Sequence, residues 1–392
     1  MTSSVIAKLP RNYGAVCGFL LGAVVLLVVA PAVLSDFRLS LLGRFICVAI
    51  VAVGIGLAWG RGGMLTLGQG VFFGLGGYVM AFHLKLADAG PSGVPDFMLL
   101  YGSGQVPVWW EPFRFPAVTL LGIVLIPSLV AFGLGIAIFR RRVRGAYFAI
   151  LSQALAAAFA ILLIGQQVTL GGFNGLNGFR SFFGFNLYDP VNKRMLFYIA
   201  AITLLVMLAV MWQLYRSRYG ELLIAVRDQE ERVRFLGYDP ANIKLVAYVL
   251  AAAMAGIAGA LFVPSVGIIS PANVGVVPSI AFVIGVAIGG RATLFGPVLG
   301  AIAVAWAQTA LSESFPSFWS YFQGALFVLV IAFLPGGLAA LVGRANVLRD
   351  AVQRRLRVGA RVASPSVASD TGNLVPPEPG LSGIRAGSET GQ

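Results

Sequence analysis

Apolar residues in this chain come in long unbroken runs rather than at helical or alternating spacing. Runs near the ~20 residues needed to cross a bilayer fall at 16–34, 41–59, 64–84, 117–139, 145–165, 195–215, 245–263, 275–290, 294–311 and 319–340. They predict an all-α polytopic membrane protein of about ten transmembrane helices. The eighth and ninth runs are short and divided by Gly289, Gly290 and Arg291, which suits a hairpin or a pair of broken helices. The first run follows Lys8 and Arg11 and contains Ala30-Pro31-Ala32, as a signal peptide would. It exceeds a usual signal core and reads as an uncleaved first helix.

Composition agrees: 58% of residues are hydrophobic and 11% charged, against about a quarter charged in a soluble domain. Basic residues stay on the cytoplasmic side of membrane proteins, and they sort cleanly with the N-terminus inside. The outer segments then hold Arg38, Arg44, Lys85, Arg114, Arg180, Lys193 and Arg194, nearly balanced by acids. The rest of the +13 excess falls inside, which gives an N-in, C-in topology. Orientation and contact with anionic lipid account for that excess. Nucleic-acid binding is excluded, since no basic patch is interleaved with aromatics on a soluble domain. Cys17 and Cys47 fall at different depths of adjacent spans, so no disulfide framework is expected.

Residues 1–343 read as a transmembrane domain and 344–392 as a basic cytoplasmic tail, disordered by composition from Ser364 onward. Two outer loops are substantial, 87–116 and 165–194. In the first, Trp109, Trp110 and Phe113 suit the headgroup interface. Gly62-Gly63-Met64-Leu65-Thr66-Leu67 is echoed by Gly289-Gly290-Arg291-Ala292-Thr293-Leu294. Both open a span after a preceding span ends, as an internal duplication would place them; a recurrent cytoplasmic turn is the alternative.

Charge concentrates in one place. Eleven charged residues lie between Arg216 and Lys244, flanked by apolar spans. Within this island (216–244), Glu221 to Leu236 reads as an amphipathic helix. Leu222, Leu223, Val226, Val233 and Leu236 form a stripe, and Asp228–Arg232 and Glu230–Arg234 pair at four-residue spacing. Gly237 is placed to stop it. A helix lying on the membrane is the plainer reading, although Glu221, Asp228, Glu230 and Glu231 would then face an anionic leaflet. No catalytic constellation, metal cluster or cofactor site is evident: His83 is the single histidine, and no acidic residue falls inside a span. No phosphate-binding GxxxxGK[ST] loop is present either, so an ATP-driven mechanism needs the ATPase on another chain.

Several segments resemble a known family. Gly220, Ala225-Val226-Arg227, Leu236-Gly237-Tyr238, Lys244 and Ala255-Gly256-Ile257-Ala258-Gly259-Ala260-Leu261 are similar to the cytoplasmic loop and following helix of the branched-chain amino acid class of ABC importer permeases. LTLGQGVFFGLGGY and IGGRATLFGPVLGA resemble its other signature regions, so most of residues 50–340 is covered. Pro95-Asp96-Phe97-Met98, Trp109-Trp110-Glu111-Pro112-Phe113, Asn174-Gly175-Leu176-Asn177-Gly178-Phe179 and Leu311-Ser312-Glu313-Ser314-Phe315-Pro316 look like the urea-transporter branch of that class. The resemblance implies a non-enzymatic permease in a bacterial inner membrane. It further implies a second permease subunit, two cytoplasmic ATPase subunits and a periplasmic substrate-binding protein. On this reading Gly220, Arg227, Asp228, Glu230 and Arg234 carry coupling to the ATPase. Thr66, Gln69, Asn174 and Asn177 are expected along an uncharged path suited to urea, with a branched-chain amino acid or short amide as the alternative solute. A stand-alone channel leaves the charged island unexplained.

Overall fold

The computed structural model describes residues 12–314 except 92, 103 and 144, together with 321, 322, 324, 325, 328 and 329. Most of the expected tenth span (319–340) and the whole 344–392 tail lie outside the described residues.

Helix α1 (Asn12–Val24) continues through a π-helical turn to Val33, and α2 (Asp36–Ile55) runs on through a second π-helical stretch to Arg61. The chain is then non-helical until α3 (Gln69–Ala89). Next come α4 (Pro116–Arg140), α5 (Ala146–Gly165) and α6 (Pro190–Arg216). They are followed by α7 (Arg218–Phe235), α8 (Pro240–Val266), α9 (Val276–Gly289) and α10 (Gly296–Ser314). Among the described residues eight helical stretches are long and apolar enough to cross a membrane. They match the first eight runs in the sequence; the ninth run forms α10, apolar over the shorter stretch Gly296–Ser312. The protein is a helical, multi-pass membrane protein.

Helix α8 sits at the centre, packed against α2, α3 and α4. Lipid tails are as apolar as leucine, so helices in a bilayer gain by close approach rather than by burial from water. Small residues permit that approach here. Gly76 of α3 lies directly on the backbone of Gly256 in α8, and Gly259 lies on the carbonyl of Phe73. A Cβ at either position would overlap main-chain atoms that cannot swing aside. The glycines of the third span therefore act in packing. Next to this crossing, Tyr248 meets the rings of Phe72, Phe139 and Phe148 edge to face, with centroids 5.5, 5.8 and 5.7 Å away.

The two long loops expected on the outer side, 87–116 and 165–194, fold as a cap. The first holds a short helix, Asp96–Tyr101, and a 3-10 turn, Val108–Arg114. Trp110 is fully buried, its ring 4.3 Å from that of Phe82, whereas Trp109 is half-exposed and Phe113 partly so. The difference has a local cause: Pro107 and Pro112 coil the segment back over α3. The second loop contains two short antiparallel pairings, Leu176–Asn177 with Ile268–Ile269 and Ser181–Phe182 with Phe185–Asn186. The Asp88 carboxylate joins α3 to this loop, accepting from Arg180 N (2.8 Å), Ser181 N (3.0 Å) and Ser181 Oγ (2.7 Å). His83 is buried beneath the cap. Its Nδ1 is 2.8 Å from the Phe113 carbonyl, and its ring is 4.8 Å from that of Phe183.

The glycine crossing yields a direct test. Gly76→Val should cost about 1–3 kcal/mol through overpacking and lower the melting midpoint of the detergent-solubilised protein. Gly133→Ala, on α4 where nothing lies within 4 Å, should leave the midpoint unchanged. Equal behaviour of the two variants would refute this packing account.

Candidate functional site

Two features converge where α2 ends: the charged helix α7 and the non-helical segment leading into α3. Ser217 caps α7, its Oγ accepting from Gly220 N at 3.4 Å. Leu223, Val226 and Val233 are buried, Leu222 is half-buried, and Leu236 is 75% exposed. Leu236 leaves the expected stripe because α7 is kinked at Gln229 (φ −148°, ψ 74°) and ends at Phe235. The same kink removes the expected Asp228–Arg232 register, and Asp228 pairs with Arg227 at 2.8 Å instead. That guanidinium bond holds the Asp228 carboxyl below its usual range. The Glu230–Arg234 pair forms at 3.4 Å.

Glu230 makes a second, shorter bond, 2.6 Å to Lys244 Nζ at the start of α8. Both side chains are largely enclosed, at 15% and 14% exposure, so this pair ties α7 to α8 rather than facing outward. Gly220 is also enclosed, against the Leu214 carbonyl and the Tyr215 backbone. Tyr219 adds a bond from its hydroxyl to the Ile243 carbonyl at 2.7 Å. Three residues expected together on a coupling surface thus divide. Gly220 and Glu230 hold the helix in place, and Arg227 reaches elsewhere.

Arg227 donates from Nη1 to the Gly60 carbonyl at 2.8 Å, and its aliphatic stem lies against Gly63 (φ +69°). Gly60 and Gly63 bracket the point where α2 gives way to extended chain. The second GG segment meets the first there: Gly60 lies on the Arg291 carbonyl, and the Arg291 guanidinium stacks over Trp59 at 4.9 Å. The two look-alike segments are therefore neighbours, each a helix–break–helix unit, α2 to α3 and α9 to α10. A cavity of about 330 Å³ opens between α7 and the break, lined by Gly62, Met64, Phe148, Arg227, Glu230 and Lys244.

Beyond the break, Thr66 and Gln69 are buried at the N-terminal end of α3. The amide protons freed by the interruption are taken by hydroxyls of other helices. Leu67 N donates to Ser152 Oγ on α5 at 2.9 Å, and Gly70 N to Ser279 Oγ on α9 at 3.0 Å. These two serines escaped the sequence reading; the available signal was a lone small hydroxyl in the middle of an apolar run. Thr66 Oγ1 and both amide atoms of Gln69 have no hydrogen-bond partner among the described residues. Unpaired polar atoms buried at the positive end of a helix are costly, and they can be satisfied by a polar solute in passage. Asn174 and Asn177 lie apart, exposed in the outer cap beside the Ile268–Ile269 pairing.

The chain matches the family model described as "Branched-chain amino acid transport system / permease component" over residues 37–331. It is 28% identical over 344 residues to the high-affinity branched-chain amino acid transport permease LivM of Salmonella typhimurium, and 29% over 345 residues to LivM of Escherichia coli K12. Each alignment covers 82% of this chain and 74% of the relative. BraD of Pseudomonas aeruginosa, a permease of the same description, is 26% identical over 313 residues, 76% of this chain and 92% of its own. No solved structure matches. The interrupted helices, the α7 loop and these similarities together place the chain in the branched-chain amino acid ABC permease family, as its non-catalytic transmembrane component.

Proposed function

We propose that this chain is one of two permeases of an ATP-driven importer. Its outer cap meets a solute-loaded binding protein, and α7 meets a cytoplasmic ATPase. The observation that carries this reading is the Arg227–Gly60 bond, which fastens α7 to the interrupted backbone ahead of Thr66 and Gln69. Movement of α7 on ATPase closure would displace that break directly. The docking face is the exposed end of α7: Phe235 (90% exposed), Leu236 (75%) and Tyr238 (51%), beside Arg232 and Glu231. Exposed apolar side chains clustered at the end of a charged helix mark a contact surface, and a protein partner would cover it. Asp228 and Arg234 flank this face as its polar rim.

For the solute, the names of the LivM and BraD relatives favour a branched-chain amino acid. Urea is the second reading, carried by the segments at 95–98, 109–113, 174–179 and 311–316 that resemble urea permeases. Calorimetry of the cognate binding protein separates them: heat with leucine and none with urea supports the first, and the reverse supports the second.

Three variants test the rest. Arg227→Ala should lower uptake about tenfold, the scale of one charge-assisted hydrogen bond, while ATPase subunits still co-purify; normal uptake removes Arg227 from the coupling route. Charge reversal at Glu230 is a poorer probe, because it also breaks the Lys244 pair. Phe235→Asp with Leu236→Asp should release the ATPase subunits on purification, and their retention would place the docking face elsewhere. Gln69→Leu should reduce uptake with ATPase binding intact; full uptake takes Gln69 off the path.

A further inference from the structure

Arg44 was assigned to an outer segment by charge sorting, yet it lies within α2, eight residues after Asp36, or about 12 Å along the helix axis. It borders a cavity of about 440 Å³ between α2, α9 and α10. No carboxylate pairs with it among the described residues, and the exposed Arg44 side chain lines that cavity. Three polar residues of α10 line the same space: Gln308, Thr309 and Ser312. Asn273, in the turn before α9, completes the set.

The hydrogen bonds already made determine what the cavity offers. Thr309 Oγ1 donates to the Ala305 carbonyl (3.0 Å) and Ser312 Oγ to the Thr309 carbonyl (3.2 Å), so both oxygens are left as acceptors. Asn273 Oδ1 already accepts from Ser270 N and Oγ, leaving its amide protons as donors. The Gln308 amide has no hydrogen bond among the described residues. Donors, acceptors and one guanidinium therefore line one cavity beside the membrane-spanning helices α2 and α9. Ionisable groups there are costly unless they serve a polar ligand or pathway. A guanidinium that merely reached for lipid headgroups would not need a facing row of polar side chains on α10.

We propose that this cavity is a station on the solute path, and that Arg44 donates to the carbonyl or carboxylate oxygen of a small solute whose N–H groups meet Gln308, Thr309 and Ser312. The proposal rests on the importer reading above. Urea and an α-amino acid both present an oxygen acceptor beside N–H donors, and the two differ in the charge on that oxygen.

The test uses the complete transporter in proteoliposomes with its binding protein, measuring radiolabelled urea or leucine delivered per ATP hydrolysed. Arg44→Leu should lower that ratio by at least about tenfold, the loss of one charge-assisted hydrogen bond, with all subunits present. Retention by Arg44→Lys marks a carboxylate, and retention by Arg44→Gln marks a neutral amide. An unchanged ratio in Arg44→Leu overturns the proposal. So does loss of the second permease on purification, which would make Arg44 an intersubunit contact, or a wild-type ratio that collapses in liposomes without anionic lipid. A second readout needs no solute. With Cys17 and Cys47 replaced, Gln308→Cys should react with a membrane-impermeant thiol reagent, and the rate should change on adding ATP. Absence of reaction overturns the site. Transport of neither solute by the wild type, with Gln308→Cys still reactive, faults the solute reading instead.

Discussion

Where α2 gives way to α3, the backbone loses its helical partners inside a membrane protein. Amides and carbonyls freed there and buried must find partners in the protein itself. Ser152 and Ser279 take two amide protons, and Arg227 takes the Gly60 carbonyl. These three side chains come from α5, α9 and α7, so one interruption draws three helices around it. The closely packed α3–α8 crossing then fixes the far side of α3. The atoms left unsatisfied, on Thr66 and Gln69, lie at the centre of this arrangement.

Much of the fold was legible because spanning helices are written as uninterrupted apolar runs, and eight of the described helices coincide with those runs. The island between α6 and α8 was legible for the complementary reason, as charge has few other places to go. Side-chain geometry within the island was less so. Four-residue spacing predicts Asp228–Arg232, but a backbone kink at Gln229 cannot be read from residue types that are all acceptable in a helix. Glu230 makes the expected pair with Arg234, but its shorter bond, to Lys244, is supplied by the next helix.

The candidate path shows the same limit. Thr66 and Gln69 stood out as polar residues in a glycine-rich span, and the structure brings them together at a helix terminus. Asn174 and Asn177 were grouped with them by chemistry alone, and they lie in the outer cap. Trp110 was misplaced in a related way. Aromatic residues near a span end suit the headgroup region, but prolines on either side turned this one into the cap's own core. Contacts between distant segments decide these cases, and composition carries no record of them.

Asp88 joins the end of α3 to the second outer loop through three hydrogen bonds. The loop that contains Asn174 and Asn177 is thus anchored to the same helix whose other end carries Gln69. During divergence, such a loop cannot be exchanged as an independent cassette: a graft from a relative would need to bring a compatible α3 terminus with it. The second long loop and the interior of the membrane domain are then inherited as a linked unit, even though more than a hundred residues of sequence separate some of their parts.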